Sequence, residues 1–392
     1  MTPVAANLHF PTSVAFGPDG VIYIAESGLP FDGAPPGGRV LRFSPDGRRE
    51  CLIDGLRAPV TGATMHDGWL YISEGGNPGR ITRYHTTTGD WRVVLDGLPG
   101  FGNYHTNRGV IGPGGQLYFS QGAMTNSGII GADSADLAWL CEIAHHCDIP
   151  GFDIVLADSA TRAFAPYGAI NPPGRRIPAN VPCTASVMRC DPDGAHLQLV
   201  AWGLRNAYGL GFLADGRLLA TDQGADDRGD RPIANCPDFL YHVREGAWYG
   251  WPDFLGGRPA PDFLLANHDQ LPPPERPLLE FPVNSIATRF AQVPLQAASF
   301  AGHLMVALFG DEFRMTGAQR VGRKLVRVDP SDWSLHEVRP MAFQRPIDVT
   351  FDSSGAAYVL DFGHFEMSPA MAVQARAASG CLWRLCSEFM EV

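Results

Sequence analysis

An all-β fold, a six-bladed β-propeller with two long loop insertions, is what this sequence predicts. Three observations carry that prediction. A strand–turn–strand form recurs six times along the chain. A second hairpin follows the first, opening with Gly or a small residue and carrying Arg in its strand. Glycine at 45 and proline at 33 among 392 residues favour turns and short strands over helical bundles.

The first copy is PTSVAFGPDGVIYIAES (11–27), a strand, an Asp-Gly turn and a second strand. The second is VTGATMHDGWLYISEG (60–75) and the third HTNRGVIGPGGQLYFSQG (105–122). NAYGLGFLADGRLLATDQG (206–224) and RPIDVTFDSSGAAYVLDFG (345–363) repeat the form, with a weaker copy at 287–310 between them. The companion hairpins include GGRVLRFSPDGRRECLIDGL (37–56), GRITRYHTTTGDWRVVLDGL (79–98), ASVMRCDPDGAHLQLVAWGL (185–204) and GRKLVRVDPSDWSLHEV (322–338). Two hairpins make four strands, one propeller blade, so six such units account for residues 1–392 as one domain.

Insertions interrupt this pattern in two places. Residues 128–182 split the third blade, and LAWLCEIAHHC (137–147) within them reads as a short helix. The run 254–286, rich in proline and apolar residues, separates blades four and five. Val4–Phe10 is a candidate strand for closing the ring on the last blade; the C-terminal SEFMEV competes for that place.

Composition narrows the partners. Only 18% of residues are charged, and 30 basic against 41 acidic residues leave a net charge of −11. Such a surface repels nucleic acid and anionic lipid. No apolar run is long enough to span a bilayer. The opening MTPVAANLHF has no basic segment followed by an apolar one, which points to the cytoplasm as the chain stands, or to the periplasm or exterior if a leader has been removed. Eight cysteines in a chain of this length do not indicate a disulfide scaffold. The expected partner is therefore a small, polar or polyhydroxylated molecule.

In a propeller the innermost strand of each blade starts at one mouth of the central channel. The residues opening the repeats gather there: Pro11–Thr12, Thr61, His105, Arg205–Asn206, Thr288 and Arg345. Glu26, Glu74, Gln121, Asp222–Gln223 and Asp361, which end the second strands, are expected in the neighbouring loops. Residues distant in sequence but close in space make a concave site. His105 is the natural proton acceptor of this set, since imidazole works near neutral pH. Arg205, permanently charged and fork-shaped, suits an anion or a developing oxyanion, or alternatively a buried ion pair with a carboxylate such as Asp222.

Two further segments suggest metals. DQGADDRGD (222–230) clusters carboxylates and carbonyls on a glycine-rich loop, which suits Ca²⁺, although the spacing is not that of an EF-hand. CEIAHHC holds Cys141, His145, His146 and Cys147 together, a conceivable zinc set without the usual paired CxxC. Neither GxSxG, a P-loop nor GxGxxG in a βαβ setting occurs, which removes the commonest hydrolase and nucleotide readings.

The span GLRNAYGLGFLADGRLLATDQGADDRGDRP…DFLYHVREGAWYGWPDF (203–254) resembles the glucose/sorbosone dehydrogenase family, the soluble quinoprotein sugar dehydrogenases. The matching positions are Gly203, Arg205, Asn206, Gly209 and Leu210, then Gln223–Gly224 and Asp226–Asp227, then Glu245, Gly246, Tyr249, Gly250, Trp251 and Pro252. The family's catalytic base opens the third repeat, as His105 does. The resemblance implies a six-bladed propeller with pyrroloquinoline quinone (PQQ) on the channel axis, polarised by Ca²⁺. It implies His105 as base and Arg205 at the quinone, with Asn206, Gln223, Thr288 and Arg345 around the cofactor. Gly224, Ala225, Asp226 and Asp227 fall near the calcium. Three places depart from the family's pattern: Ile347 stands for the second arginine of R-x-R-D, the expected lysine falls near Phe309, and the expected aromatic platform falls near Ile286.

Three functions follow from these observations. One is oxidation of an alcohol or aldose with PQQ and Ca²⁺. A second is lyase, isomerase or cyclase chemistry on the same scaffold without the cofactor, in specialised metabolism. A third is ligand binding without chemistry.

Overall fold

The computed structural model describes residues 1–100, 102–131, 141, 143, 145–297, 299–311, 321–339, 341–367 and 373–386. Six antiparallel blades surround a central channel, each innermost strand opening at the same mouth. Blade one is Pro11–Phe16, Ile22–Glu26, Gly38–Phe43 and Arg49–Leu56. Blade two is Val60–His66, Trp69–Glu74, Gly79–His85 and Trp91–Leu98. Blade three runs Val110–Ile111, Leu117–Gln121, Ser186–Cys190 and Gln198–Trp202, and gains a parallel outer strand, Ala247–Trp248.

Blade four is Ala207–Phe212, Leu218–Asp222, Phe239–His242 and Leu279–Glu280. Blade five is Ala287–Gln292, Leu304–Leu308, Lys324–Asp329 and Ser334–Glu337. Blade six is Pro346–Phe351, Ala357–Asp361 and Gly380–Arg384, completed by Thr2–Leu8 from the other end of the chain. The ring therefore closes through the N-terminal strand, paired antiparallel from Thr2–Arg384 to Leu8–Gly380. The competing SEFMEV, 387–392, lies outside the described residues.

Alternation explains the strands. Residues facing neighbouring blades are apolar and buried, such as Ile24, Leu41, Ile72, Phe119, Leu219, Val306 and Leu360. Successive inner strands are also clipped together by hydroxyls. Thr12 donates to the Val60 carbonyl at 2.8 Å, Thr61 to Thr106 at 2.5 Å and Ser120 to Ala207 at 2.5 Å, and Thr221 donates to Thr288. A hydroxyl at this position satisfies an inner carbonyl that no further strand can reach.

The insertions differ in character from the sequence expectation. Residues 128–182 do split blade three, between Leu117–Gln121 and Ser186–Cys190. The helix expected over 137–147 falls largely outside the described residues. The run 254–286 does not separate blades four and five; it lies inside blade four and supplies that blade's outermost strand, Leu279–Glu280. Proline and glycine concealed that strand, which is only two residues long. Among the described residues no helix is long and apolar enough to cross a membrane.

Candidate active site

Strand register decides which side chains share a level at the mouth. The first pairs of the inner hairpins are Pro11–Glu26, Val60–Glu74, Thr106–Gln121, Ala207–Asp222, Ala287–Leu308 and Pro346–Asp361. One residue before each lies Phe10, Pro59, His105, Asn206, Ile286 and Arg345. The register thus puts His105 level with Asn206 and Arg345, with Arg205 one residue further out and Thr288 two residues further in than Ile286.

His105 is half-buried between blades two and three. Gly75 makes room for it: a Cβ there would lie 2.5 Å from His105 Cβ. Burial pulls the imidazole down to about 4, against a smaller upward pull from a hydrogen bond with the Gly75 backbone. The ring is therefore neutral at physiological pH, although the same burial makes it a weaker base than free imidazole. Beside it, amides link blades three and four. Asn107 Nδ2 donates to Asn206 Oδ1 at 3.0 Å, and Asn206 Nδ2 donates to Gln223 Oε1 at 2.8 Å.

A cavity of about 170 Å³ opens here, lined by Tyr104, Arg205, Gln223, Asp226, Cys236 and Ile286, among others. A second, of about 200 Å³, shares Ala225, Cys236 and Asn284 with it and adds Asp227 and Arg228. The structure thus gathers Arg205, Gln223, Gly224, Ala225 and Asp226 around one space, with Asp227 on the adjoining one. His105, Asn206, Thr288 and Arg345 line neither cavity; His105 adjoins the first through its neighbour Tyr104.

Arg205 is buried, and all three of its nitrogens are committed. Nε donates to the Asn126 carbonyl at 2.9 Å, and Nη2 donates to Asn126 Oδ1 at 2.6 Å and Asp226 Oδ2 at 2.9 Å. Nη1 donates to the carbonyls of Gln223, at 3.3 Å, and Gly224. The guanidinium stacks on the Tyr104 ring, 4.5 Å from its centroid. The buried ion pair weighed for Arg205 does exist, but with Asp226. Asp222 instead accepts the backbone N–H groups of Arg205 and Asn206, at 3.3 and 2.7 Å.

That second role is general. Glu26 accepts the His9 N–H at 2.7 Å, Glu74 accepts that of Arg57 at 2.7 Å, and Asp361 accepts those of Gln344 and Arg345 at 2.8 and 2.7 Å. The strand-end carboxylates are buried acceptors that pin each inner strand's entry. They are not open groups lining the mouth, as expected from their position in the repeat. Burial raises the Asp222 carboxyl to about 7, although the Asn206 N–H and the Arg205 charge oppose it.

Across the mouth from this polar group, Arg345 is similarly engaged. It donates to the carbonyls of Phe365, Gly310 and Asp311 at 2.8, 2.6 and 2.8 Å, and to Glu366 Oε2 at 2.9 Å. Phenylalanines surround it: Phe309 lies 5.1 Å below its guanidinium, and Phe309, Phe10 and Phe365 pack on Phe362 at 5.5, 5.4 and 5.8 Å. The mouth is therefore two-sided, polar towards blades three and four and aromatic towards blades five, six and one. Thr288 is buried, its hydroxyl donating to the Ala307 carbonyl at 2.9 Å.

Sequence reasoning missed the group deeper in the channel. Arg108, Tyr208, Arg289 and Asp348 meet there, each on an innermost strand. The signal was a charged or aromatic residue at the third or fourth place of a repeat, where the side chain turns to the channel axis. Among the described residues no three His, Cys, Asp or Glu side chains come together at metal-binding range. That holds for the described residues of CEIAHHC and of DQGADDRGD.

Comparison with known proteins fits this architecture. No family profile matches the chain. Quinoprotein glucose dehydrogenase B of Acinetobacter calcoaceticus is 24% identical over 301 residues, 68% of this chain and 55% of that protein. The chain is similar to a quinoprotein glucose dehydrogenase over that span. It spans a little over half the length of that curated relative. Among solved structures, the PQQ-bound aldose sugar dehydrogenase of Streptomyces coelicolor superposes with a TM-score of 0.60 at 15% identity, covering 98% of this chain and 96% of that one. The soluble aldose sugar dehydrogenase of Escherichia coli, in its apo form, superposes with a TM-score of 0.60 at 13% identity over 98% of both chains. At these identities the superpositions establish the shared propeller fold.

Proposed function

We propose that this chain is an oxidoreductase of the quinoprotein sugar-dehydrogenase type, acting on a hydroxyl of a small polyhydroxylated molecule, with His105 as the base. One observation carries the reading. In a chain related over 301 residues to a quinoprotein glucose dehydrogenase, a neutral imidazole stands at the channel mouth, level with an amide donor, Asn206.

Oxidising an alcohol removes a proton from oxygen and a hydride from carbon. His105 takes the proton: its imidazole is uncharged and stands at the mouth, next to Tyr104 of the cavity wall. Asn206 and Gln223 supply amide groups beside that position for orienting a polar substrate. PQQ, named for the relatives, supplies a two-electron acceptor when bound.

The residues present do not fit the relatives' cation set. Asp226 and the Gln223 and Gly224 carbonyls, the calcium-side oxygens expected from sequence, already accept from Arg205. A tricarboxylate needs cations with donors to give, and Arg345 gives its donors to three carbonyls and Glu366. No step is therefore assigned to the cofactor. The test is reconstitution: PQQ is titrated into purified protein, followed by absorbance, and dye reduction is measured with a panel of sugars. Saturable binding at micromolar PQQ with sugar-dependent reduction would support the quinoprotein reading. No saturable binding would overturn the quinoprotein reading in favour of cofactor-independent chemistry on the same scaffold.

A further inference from the structure

The oxygen cage around Arg205 has the composition of a hard-cation site. Two main-chain carbonyls come from Gln223 and Gly224, a third carbonyl and a side-chain oxygen from Asn126, and a carboxylate oxygen from Asp226. Carbonyls and a carboxylate converging from separate loops are what Ca²⁺ selects. Here a guanidinium fills the cage instead.

A second cation completes it. Arg228 Nε donates to the same Asp226 oxygen at 3.1 Å. Two guanidiniums beside one carboxylate carry the charge a divalent ion would bring. Burial pushes the Asp226 carboxyl up, but Arg205 and Arg228 outweigh it and hold it below the usual carboxylate range. The cage is braced from outside. Asn126 Oδ1 also accepts the Asp226 N–H at 2.9 Å, and Asn126 Nδ2 donates to the Asp226 carbonyl at 2.9 Å. Trp251 Nε1 donates to the Asn126 carbonyl at 3.3 Å. Asn126 stands just ahead of the 128–182 insertion, so this arrangement is built from two loops and not from one flexible turn.

We propose that Arg205 and Arg228 are the resident cations of this oxygen cage, which therefore holds no divalent metal when the cavity takes its ligand. Admitting Ca²⁺ would require expelling the buried Arg205 side chain from five oxygen contacts and from the Tyr104 ring. The proposal deepens the reading of this cavity as the cofactor pocket, and rests on that reading only for which ligand the cations face.

Two measurements test it on the intact chain. Protein dialysed against EDTA is titrated with Ca²⁺ by calorimetry, alongside Asp226→Asn. The expected result is no saturable binding below millimolar Ca²⁺, or binding that Asp226→Asn leaves unchanged. Saturable 1:1 binding abolished by Asp226→Asn would overturn the proposal. PQQ is then titrated in EDTA and in Ca²⁺. Dissociation constants within about twofold support resident cations, and binding more than tenfold tighter in Ca²⁺ overturns them. If PQQ binds in neither medium the quinoprotein reading falls, and the calorimetric titration still decides the cations.

Discussion

Arg108 and Asp348 meet in the central channel, Nη1 to Oδ2 at 2.8 Å, across 240 residues of sequence. They join blade three to blade six, on opposite sides of the ring. Arg289 of blade five reaches the same oxygen at 3.4 Å, donates to the Thr12 and Thr61 carbonyls, and lies 5.0 Å over the Tyr208 ring. Gly62 makes the approach possible, because a Cβ there would sit 2.3 Å from Arg108 Cβ. All six blades thus take part in one contact set on the channel axis.

Among the described residues, Asp348 is the carboxylate that Arg108 and the buried Arg289 share. Burial pulls Arg108 down to about 10, and it remains charged at neutral pH. Replacing Asp348 by Ala leaves two cations without their counter-charge, and breaking a buried pair this way costs about 3–5 kcal/mol. Urea denaturation of Asp348→Ala is expected to show that loss. A midpoint equal to that of the unaltered protein would mean that water, not Asp348, neutralises the channel.

His105→Asn is expected to lower kcat by roughly 10²–10⁴, the usual worth of a positioned base, with the unfolding midpoint little changed. Gly75→Ala addresses the same group indirectly. Its Cβ would lie 2.5 Å from His105 Cβ and 2.9 Å from Cγ, so the ring must move. Gly75→Ala should therefore lose activity with the histidine still present. Full activity in His105→Asn would remove the residue from the mechanism.

Stability should respond to acid through the same imidazole. In the unfolded chain its pKa is near 6.5, and in the fold burial lowers it to about 4. Between those values the unfolded state binds the proton and the folded state does not. Stability is therefore complete above about pH 6.5 and declines as pH falls towards 4. His105→Asn should flatten that part of the profile. Asp222 acts in the opposite sense, because a carboxyl raised to about 7 makes the fold less stable as pH rises from about 4 to 7. The comparison must therefore be between His105→Asn and its parent at each pH.

Much of this was legible because propellers repeat. Copies such as HDGWLYISEG and ADGRLLATDQG expose strand, turn and register together, and the register alone puts His105 and Asn206 at one mouth. What stayed hidden depends on side-chain direction. Glu74 and Asp222 occupy mouth positions in sequence, yet they turn back to backbone N–H groups that no strand serves. Arg205 looked available, but its acceptors include Asn126, which lies in no repeat. Leu279–Glu280 is too short to show any alternation. Arg108, Arg289 and Asp348 each read as ordinary strand residues until three blades are superposed on one axis.

The last prediction concerns closure of the ring. Thr2–Leu8 is the outer strand of blade six, and only the Gly380–Arg384 strand holds it in the sheet. Ala5 and Leu8 are buried in the same apolar cluster as Ile24, Leu360 and Leu382, so this strand also packs blade six against blade one. Removing residues 1–8 would leave the Gly380–Arg384 edge unpaired and that apolar surface open, which is the usual template for edge-to-edge association. The truncated chain is expected to unfold at lower temperature and to elute partly as aggregate in size-exclusion chromatography. A synthetic peptide of residues 1–10 added in trans should restore the monomer, since it carries the same pairing and the same two buried side chains. An unchanged melting temperature after truncation would mean that the contacts between blades one and six hold the ring without the strand.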